Sequence, residues 1–194
     1  MYRRYYKRIL DLAFALCLLA LTFWLFVIII LVYVVQFDYP IFFYQDRIGI
    51  GGTTFSIIKF RTLKLQGDTV DDRRFRFGNF LRRTSLDELP QIVNVIKGEM
   101  SFVGPRPMPL DYLPLYTNVQ TQRHYVQPGI TGWAQVNGRN SIPWDTKFQL
   151  DIYYVKNISF WLDLKILIKT IILILSFKKD ASLQEQPFTG NTNA

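Results

Sequence analysis

The chain has 194 residues, of which 49% are hydrophobic, and a formal net charge of +8 from 23 Lys and Arg against 15 Asp and Glu. This length favours one domain with an appendage, and the charge favours an anionic partner such as a lipid headgroup or a phosphorylated substrate. A single cysteine, Cys17, excludes an intrachain disulfide, and a single histidine, His124, argues against a His-rich zinc site. The aromatic residues form no repeated nucleic-acid-binding motif, so we expect no nucleic-acid partner.

The first predicted element is an apolar segment at residues 12–35, preceded by four basic residues within residues 1–8. As a helix of 24 residues it would be about 36 Å long, enough to span a bilayer core of about 30 Å. The bulky residues that follow it are unlike a signal-peptide cleavage site. Two topologies remain open, a helix that crosses the bilayer and a bent helix that returns to the cytoplasmic face, where the positive-inside tendency places the basic N-terminus.

Residues 37–157 are predicted to form one globular unit. Aromatic and β-branched runs at 39–44 and 55–60 indicate strands, and the glycines at 49–52 indicate a turn between them. The polar stretch at 67–76 is typical of a loop.

Further along this unit, the apolar spacing over 86–96 predicts a helix. Proline and glycine mark rigid loops at 104–107 and 128–132. Residues 148–155 are predicted to be helical, although their aromatic and β-branched content also allows a strand.

A second apolar helix is predicted at residues 159–177, interrupted by Asp163, Lys165 and Lys169. It is too interrupted to span a bilayer, so it lies either in the membrane interface with its lysines extended to water, or in the core as an ordinary helix. The polar tail after it is predicted to be frayed.

The most informative stretch contains two adjacent carboxylates, Asp87 and Glu88, after Arg82 and Arg83. Neighbouring side chains on a helix point about 100° apart, so the two carboxylates have different tasks. One is suited to act as a covalent nucleophile in phosphoryl chemistry, kept ionised by nearby cations, and the other to bind Mg²⁺ through oxygen.

A purely structural interpretation of the same stretch is also open. Ser85 and Glu88 have the spacing of a capping box, which would place Asp87 in the first turn of a helix. Pro90 would then fall inside the helix and remove a hydrogen bond, whereas with Asp87 as the cap it falls in the tolerated first turn. Both versions place the carboxylates at a helix N-terminus, where phosphate also binds.

Several cations near compact turns favour a phosphate-binding site. Arg106 lies between two prolines, so its backbone is stiff and its guanidinium is suited to a bidentate phosphate contact. A solvated surface arginine is the alternative. The candidate phosphate-binding cations are Lys59, Arg61, Arg82, Arg83 and Arg106.

The residues at 83–91, 98–107 and 128–140, together with 59–62 and 151–155, strongly resemble the bacterial sugar transferases. These are the monotopic polyprenyl-phosphate phosphoglycosyl transferases, and the short chain resembles their minimal, single-function members. The resemblance runs from about residue 7 to about residue 177.

The resemblance implies a ping-pong mechanism. Asp87 would attack the β-phosphorus of a UDP-sugar and expel UMP, Glu88 would hold Mg²⁺, and polyprenyl phosphate would then take the sugar-phosphate from the enzyme. The motifs also imply that the substrate is bound by Lys59, Arg61, Arg83, Arg106, Gln135, Asn137, Arg139 and Asp151.

The fold implied is α+β, with a re-entrant membrane helix in 1–36, a mostly helical catalytic domain with short strands in 37–157, an interfacial or core helix in 158–178 and a flexible tail in 179–194. The expected location is the inner membrane with the active site on its cytoplasmic face. Expected partners are UDP-sugar, polyprenyl phosphate, anionic phospholipid and downstream glycosyltransferases, and a homodimer is allowed.

The sequence departs from the family pattern in three places. Thr22 and Phe23 stand where a Ser-Pro pair usually breaks the membrane helix, and no proline occurs between residues 1 and 39. Thr22 can loosen a helix by bonding back to a carbonyl, although less decisively than proline. Phe75 replaces a usual Thr and Leu63 a usual Met, both of which we expect to be minor.

Two other functions fit the same residues. One is a catalytically inactive membrane scaffold of the same fold, and the other is a membrane phosphatase that forms an aspartyl-phosphate and releases inorganic phosphate.

Overall fold

A computed structural model describes residues 1–36, 39–138, 142–176 and 187–190. Helices and strands are mixed, so the α+β prediction is confirmed in this coarse form. Arg139 and most of the polar tail, both subjects of predictions, lie outside the described residues.

The N-terminal apolar segment forms one helix, α1 (Lys7–Val35), after a π-helical turn at Tyr2–Tyr6. It is 29 residues long, about 44 Å, and is the single described helix that is long and apolar enough to cross a membrane. The Thr22 hydroxyl donates to the carbonyl of Leu18 at 2.7 Å, the back-bond expected for this threonine. The helical assignment nevertheless continues through Thr22, because every backbone N–H in this region can still bond its i−4 carbonyl when no proline is present.

A β-hairpin follows α1. Its strands are β1 (Phe42–Ile48) and β2 (Thr54–Phe60), which pair antiparallel with Phe42 opposite Phe60. The predicted turn at 49–52 connects them, with Gly51 and Gly52 at positive φ. β2 matches its prediction, whereas β1 begins and ends later than the run at 39–44.

The rest of the domain alternates short helices with two very short strands. The strands β3 (Ser101–Val103) and β4 (Gly129–Thr131) pair in parallel, with Ser101 opposite Gly129. At their ends the backbones of Gly104 and Gly129 approach so closely that a Cβ on Gly129 would lie 2.1 Å from the Gly104 nitrogen. Only glycine fits there. These elements are α2 (Arg76–Arg83), α3 (Gln91–Lys97), β3 (Ser101–Val103), β4 (Gly129–Thr131), α4 (Trp133–Val136), α5 (Trp144–Lys156) and α6 (Phe160–Leu175), with 3-10 turns at Leu86–Glu88, Leu110–Leu115 and Gln120–Tyr125.

Helix α1 contributes to the core of the domain near both of its ends. Ala15 is packed in the main cluster with residues of β2, α3 and α6, and Ile29 and Tyr33 are packed in a second cluster with Phe60 and Leu81. Burial of an isoleucine side chain such as Ile29 contributes about 1.5–3 kcal/mol to stability. The N-terminal apolar helix is therefore also a structural element of the domain.

Helix α6 is joined to α1 by a buried polar cluster around Asp163. The Lys7 ammonium and the Tyr2 hydroxyl each donate to Asp163 Oδ2 at 2.7 Å, and the Tyr154 hydroxyl donates to Oδ1 at 2.7 Å. Asp163 and Ile166 face the domain, while the opposite side of α6 is apolar and exposed, with Trp161 74% exposed. Of the two alternatives for this helix, its exposed apolar side favours the membrane interface.

His124 lies in the 3-10 turn Gln120–Tyr125, beside an aromatic cluster that includes Tyr116. Its ring is 5.2 Å from that of Tyr116, and its Nε2 has no hydrogen-bond partner among the described residues. Burial, followed by the charge of the neighbouring Arg123, lowers the pKa of His124 to about 4. His124 is thus packed in the interior of the domain, with 7% of its surface exposed.

The low pKa of His124 predicts an acid-sensitive contribution to stability. Between about pH 6.5 and about pH 4 the unfolded chain takes up a proton at His124 that the folded protein does not, so the free energy of unfolding falls as the pH falls. We expect His124→Gln to lose less stability than the wild type between about pH 7.5 and about pH 5. Urea unfolding in detergent measures this, and equal losses in the two proteins would contradict it.

Candidate active site

The adjacent carboxylates lie in a 3-10 turn, Leu86–Glu88, between α2 and α3. Ser85 has a left-handed backbone, with φ of 57°, and its side chain makes no capping hydrogen bond. The capping-box interpretation is therefore wrong, because a cap residue needs an extended backbone. Pro90 is the N-cap of α3, so the helix begins after the carboxylates and leaves them in a separate turn.

Glu88 is held between two cations that come from distant parts of the chain. The Lys59 ammonium, near the end of β2, is 2.6 Å from Glu88 Oε1, and Arg106 Nη2 is 3.5 Å from the same oxygen. Burial alone would raise the pKa of Glu88, but Lys59 and Arg106 outweigh it and lower the pKa to about 2. Glu88 is ionised throughout the physiological range.

Asp87 has the opposite shift. Its side chain is buried, and burial followed by repulsion from Glu88 raises its pKa to about 6, against the opposing charges of Lys59, Arg82 and Arg106. A carboxylate with a raised pKa is more basic than an ordinary one, and it is still mostly ionised near pH 7.5. The two neighbours are thus chemically different, which separated carboxylate roles require.

A pocket opens beside Glu88 and includes two side chains that the sequence interpretation missed. Arg47 of β1 donates to the carbonyl of Pro107 at 3.2 Å, and burial followed by repulsion from Arg106 lowers its pKa to about 10. Gln91, 2% exposed, has an Nε2 that favours the ionised form of Glu88 without meeting full hydrogen-bond geometry. Gln91 belongs to the motif at 83–91, whereas Arg47 lies between the strand run at 39–44 and the turn at 49–52 and belongs to no motif noted in the sequence.

Two other predicted substrate-binding cations are placed differently. Arg61 is buried, and its guanidinium donates to the carbonyls of Pro40 at 2.6 Å and Leu63 at 2.9 Å. Arg83 is exposed at the end of α2. Neither lines the pocket beside Glu88, whereas Lys59 and Arg106 do.

The residues predicted from the later motifs also lie away from this pocket. Gln135 donates to the carbonyl of Ile130 at 3.0 Å, and the Asn137 side-chain oxygen accepts from Lys169 at 2.9 Å. These contacts join α4 to β4 and α6. Arg139 lies outside the described residues.

Asp151 reaches the site indirectly. It is buried in α5 and accepts two hydrogen bonds from Arg123, from Nη2 at 2.7 Å and from Nε at 3.0 Å. Burial raises the pKa of Asp151 against the opposing charge of Arg123. Arg123, which the sequence interpretation did not single out, also donates to the carbonyl of Arg106 at 2.8 Å. Arg123 and Asp151 are 28 residues apart in the sequence, and no motif in the sequence indicated that they pair.

A magnesium ion fits this site only with help from a substrate. No cluster of three or more His, Cys, Asp or Glu side chains suited to a metal is found in the part of the chain that the structure describes. Mg²⁺ commonly binds to one or two carboxylates, water and substrate phosphate oxygens, and ionised Glu88 supplies such a carboxylate beside an open pocket. The donor set is thus compatible with Mg²⁺ carried in with a phosphorylated substrate.

Comparison with known proteins identifies the family. A family profile described as bacterial sugar transferase matches residues 2–177, and the chain belongs to this family of transferases. It is 45% identical over 194 residues to an uncharacterized sugar transferase, EpsL, of Bacillus subtilis, covering 95% of this chain and 96% of the relative.

Two relatives with more informative names are longer proteins. The UDP-glucose:undecaprenyl-phosphate glucose-1-phosphate transferase of Xanthomonas campestris is 46% identical over 156 residues, 72% of this chain and 32% of the relative. The undecaprenyl-phosphate galactose phosphotransferase of Salmonella typhimurium is 37% identical over 159 residues, 70% of this chain and 33% of the relative. The chain thus spans about a third of the length of these two relatives.

The position of Arg106 predicts a strong dependence on its guanidinium. Arg106→Lys keeps the charge but loses the planar fork, so we expect kcat/KM for the sugar donor to fall by more than about tenfold. Arg76→Lys, at an exposed position in α2, is the matched control. Activity of Arg106→Lys within about twofold of wild type, less than about 0.5 kcal/mol, would assign Arg106 a structural role.

Proposed function

We propose that this protein transfers a sugar-1-phosphate from a UDP-sugar to polyprenyl phosphate, giving polyprenyl-diphosphate-sugar and UMP. The observation that carries the proposal is the Asp87–Glu88 pair, whose pKa values are shifted in opposite directions beside Lys59 and Arg106. The family and the names of the longer relatives agree with this reaction.

The reaction has two displacement steps at one phosphorus. An oxygen of Asp87 forms a bond to the β-phosphorus of the UDP-sugar, the bond from that phosphorus to the bridging oxygen breaks, and UMP leaves. An oxygen of polyprenyl phosphate then attacks the same phosphorus, and the Asp87 carboxylate leaves. The raised pKa of Asp87 supports its role as nucleophile, because the more basic carboxylate attacks more readily.

Fixed positive charge is the main contribution of the surrounding residues. Lys59, Arg82 and Arg106 are all close enough to Asp87 to lower its pKa. In phosphoryl transfer such cations stabilise the charge on the transferred group in the transition state. Because the cations exceed the two carboxylates, the site retains net positive charge for a diphosphate.

Glu88 would hold Mg²⁺ in this proposal. When bound, the ion would neutralise negative charge on the substrate phosphates. Lys59 pairs with Glu88 at 2.6 Å in the structure. On binding of metal and substrate, the Glu88 carboxylate would contact the ion and the Lys59 ammonium would contact a phosphate oxygen.

The proposed membrane arrangement has both ends of α1 on the cytoplasmic side. Near the N-terminal end, Lys7 pairs with Asp163, and Arg8 donates to the carbonyls of α3. Near the other end, Tyr33 packs on Phe60 and its hydroxyl donates to the carbonyl of Arg61.

These two contact regions are about 39 Å apart along the helix, more than the thickness of a bilayer core. A helix that crossed the bilayer could not keep both on one domain without drawing that domain into hydrocarbon. The contacts therefore support a helix that does not cross the bilayer, with its exposed apolar side, and that of α6, in the membrane.

The lipid-linked product would suit a membrane glycosyltransferase that extends the sugar.

The first test is of the nucleophile. Asp87→Asn has nearly the same shape but a poor nucleophile, so we expect it to fold and to lose UMP release from UDP-sugars. Glu88→Gln should retain some UMP release but respond differently to Mg²⁺. Near-wild-type turnover by purified Asp87→Asn would refute the covalent assignment.

The same assay separates the other candidate functions. An inactive scaffold would release no UMP with any UDP-sugar, and an aspartyl-phosphate phosphatase would release inorganic phosphate without forming a lipid-linked sugar.

The second test is of topology. In a Cys17→Ser background, single cysteines at the exposed positions Tyr6 and Asp46 report on the two sides of α1. We expect both to be protected from a membrane-impermeant thiol reagent in spheroplasts and to react in inverted vesicles. Reaction of one cysteine alone in spheroplasts would demonstrate a true span and exclude the arrangement proposed here.

A further inference from the structure

A short C-terminal segment, residues 187–190, follows α6 in the chain and is docked on the catalytic domain. Phe188 is 4% exposed, and its backbone N–H donates to the Tyr112 hydroxyl at 3.1 Å. Its ring lies 5.0 to 5.8 Å from four aromatic rings that we call the aromatic seat, namely Tyr112, Tyr116, Trp144 and Phe148. Aromatic contacts at these distances are favourable and directional.

The aromatic seat also contacts a buried cation. The Arg123 guanidinium, 1% exposed, is 5.7 Å from the ring of Tyr116 and 5.6 Å from that of Phe148, and its Nη1 donates to the Tyr116 hydroxyl at 3.1 Å. Tyr116 stacks on Phe188 with an interplanar angle of 22°. Phe188 and Arg123 thus both contact Tyr116 and Phe148.

Arg123 connects the aromatic seat to the active site. Its Nη2 donates both to Asp151 and to the backbone carbonyl of Arg106. The Arg106 side chain reaches Glu88 from that same backbone. Because a guanidinium is planar and rigid, a tilt at the aromatic seat moves the point at which the Arg106 carbonyl is held.

We propose that the segment at 187–190 is a positioning element of the active site, which acts through Phe188, the aromatic seat and Arg123 to place Arg106 beside Glu88. This inference rests on the proposed function. Phe188 and Arg123 are positioning residues, because neither lines the pocket beside Glu88. The ligand whose binding they tune is the anionic diphosphate of the sugar donor.

A single large side chain from the segment has this effect because it fills space that the domain itself leaves between four rings. Removing it leaves Tyr116 and Phe148 without packing on one side, and packed side chains then shift to fill part of the gap. Catalytic groups are sensitive to such shifts, since a misplacement of about 1 Å can reduce activity by about a hundredfold.

The test is a double-mutant cycle between Phe188→Ala and Arg106→Lys. UMP release is measured with undecaprenyl phosphate and with UDP-glucose, UDP-galactose and UDP-N-acetylglucosamine as donors below saturation. We expect Phe188→Ala to lower kcat/KM by about tenfold in the wild type and by less than about twofold in Arg106→Lys, because the contribution it supports is already lost. Thr189→Ala, an exposed neighbour, is the matched control, and Phe188→Leu should restore part of the activity.

Equal losses in both backgrounds would overturn the proposal, since they would show that Phe188 acts through stability and not through Arg106. The proposal would also be overturned if the wild type is active and Phe188→Ala has the same activity. If the wild type releases no UMP with any donor, the proposed function fails by itself, and the cycle is then read as UDP affinity by calorimetry. If Phe188→Ala weakens UDP binding in the wild-type background but not in the Arg106→Lys background, the positioning role is supported. If the wild type, the two single variants and the double variant bind UDP equally, or none of them binds it, the proposal is overturned.

Discussion

The ion pairs of Glu88 bring together charged side chains from three separate parts of the chain. Lys59 comes from the hairpin, Glu88 from the turn before α3 and Arg106 from the proline-flanked loop after β3. A carboxylate removed from water is costly unless it is paired, so Lys59 and Arg106 are both needed to offset the charge of Glu88. The same arrangement forces the neighbouring Asp87 into a different electrostatic state, because two adjacent buried carboxylates repel one another.

A second charged cluster, around Asp163, joins the N-terminal segment to the domain. Asp163 accepts from Lys7, Tyr2 and Tyr154, and thereby ties both apolar helices to α5. Arg3 and Arg8 of the basic N-terminus donate to carbonyls of the domain, so these cations are engaged in the fold.

The sequence was informative where short-range rules act. The apolar helix, strand β2, the turn at 49–52 and the helix over 148–155 were all predictable, because periodicity and turn residues determine them locally. The capping box was misread because Ser85 takes a left-handed backbone that its own sequence does not signal. β3 and β4 were missed because each is three residues long and is defined by the close approach of Gly104 and Gly129, which only the tertiary fold reveals. In the site, the motifs indicated Glu88 with Lys59 and Arg106. Arg47 and Gln91 line the same pocket, and Arg123 bonds the Arg106 carbonyl, through long-range packing that no spacing rule describes.

Helix α1 supplies Ala15, Ile29 and Tyr33 to the two hydrophobic clusters. A protein whose anchor is a mere tether can be converted to a water-soluble form by cutting the tether, but deletion of α1 would here strip one wall from each cluster and expose apolar surface on α3 and β2. Preparations that retain the N-terminal residues, in detergent or nanodiscs that cover the exposed apolar side of α1, are therefore the ones in which we expect this domain to stay folded.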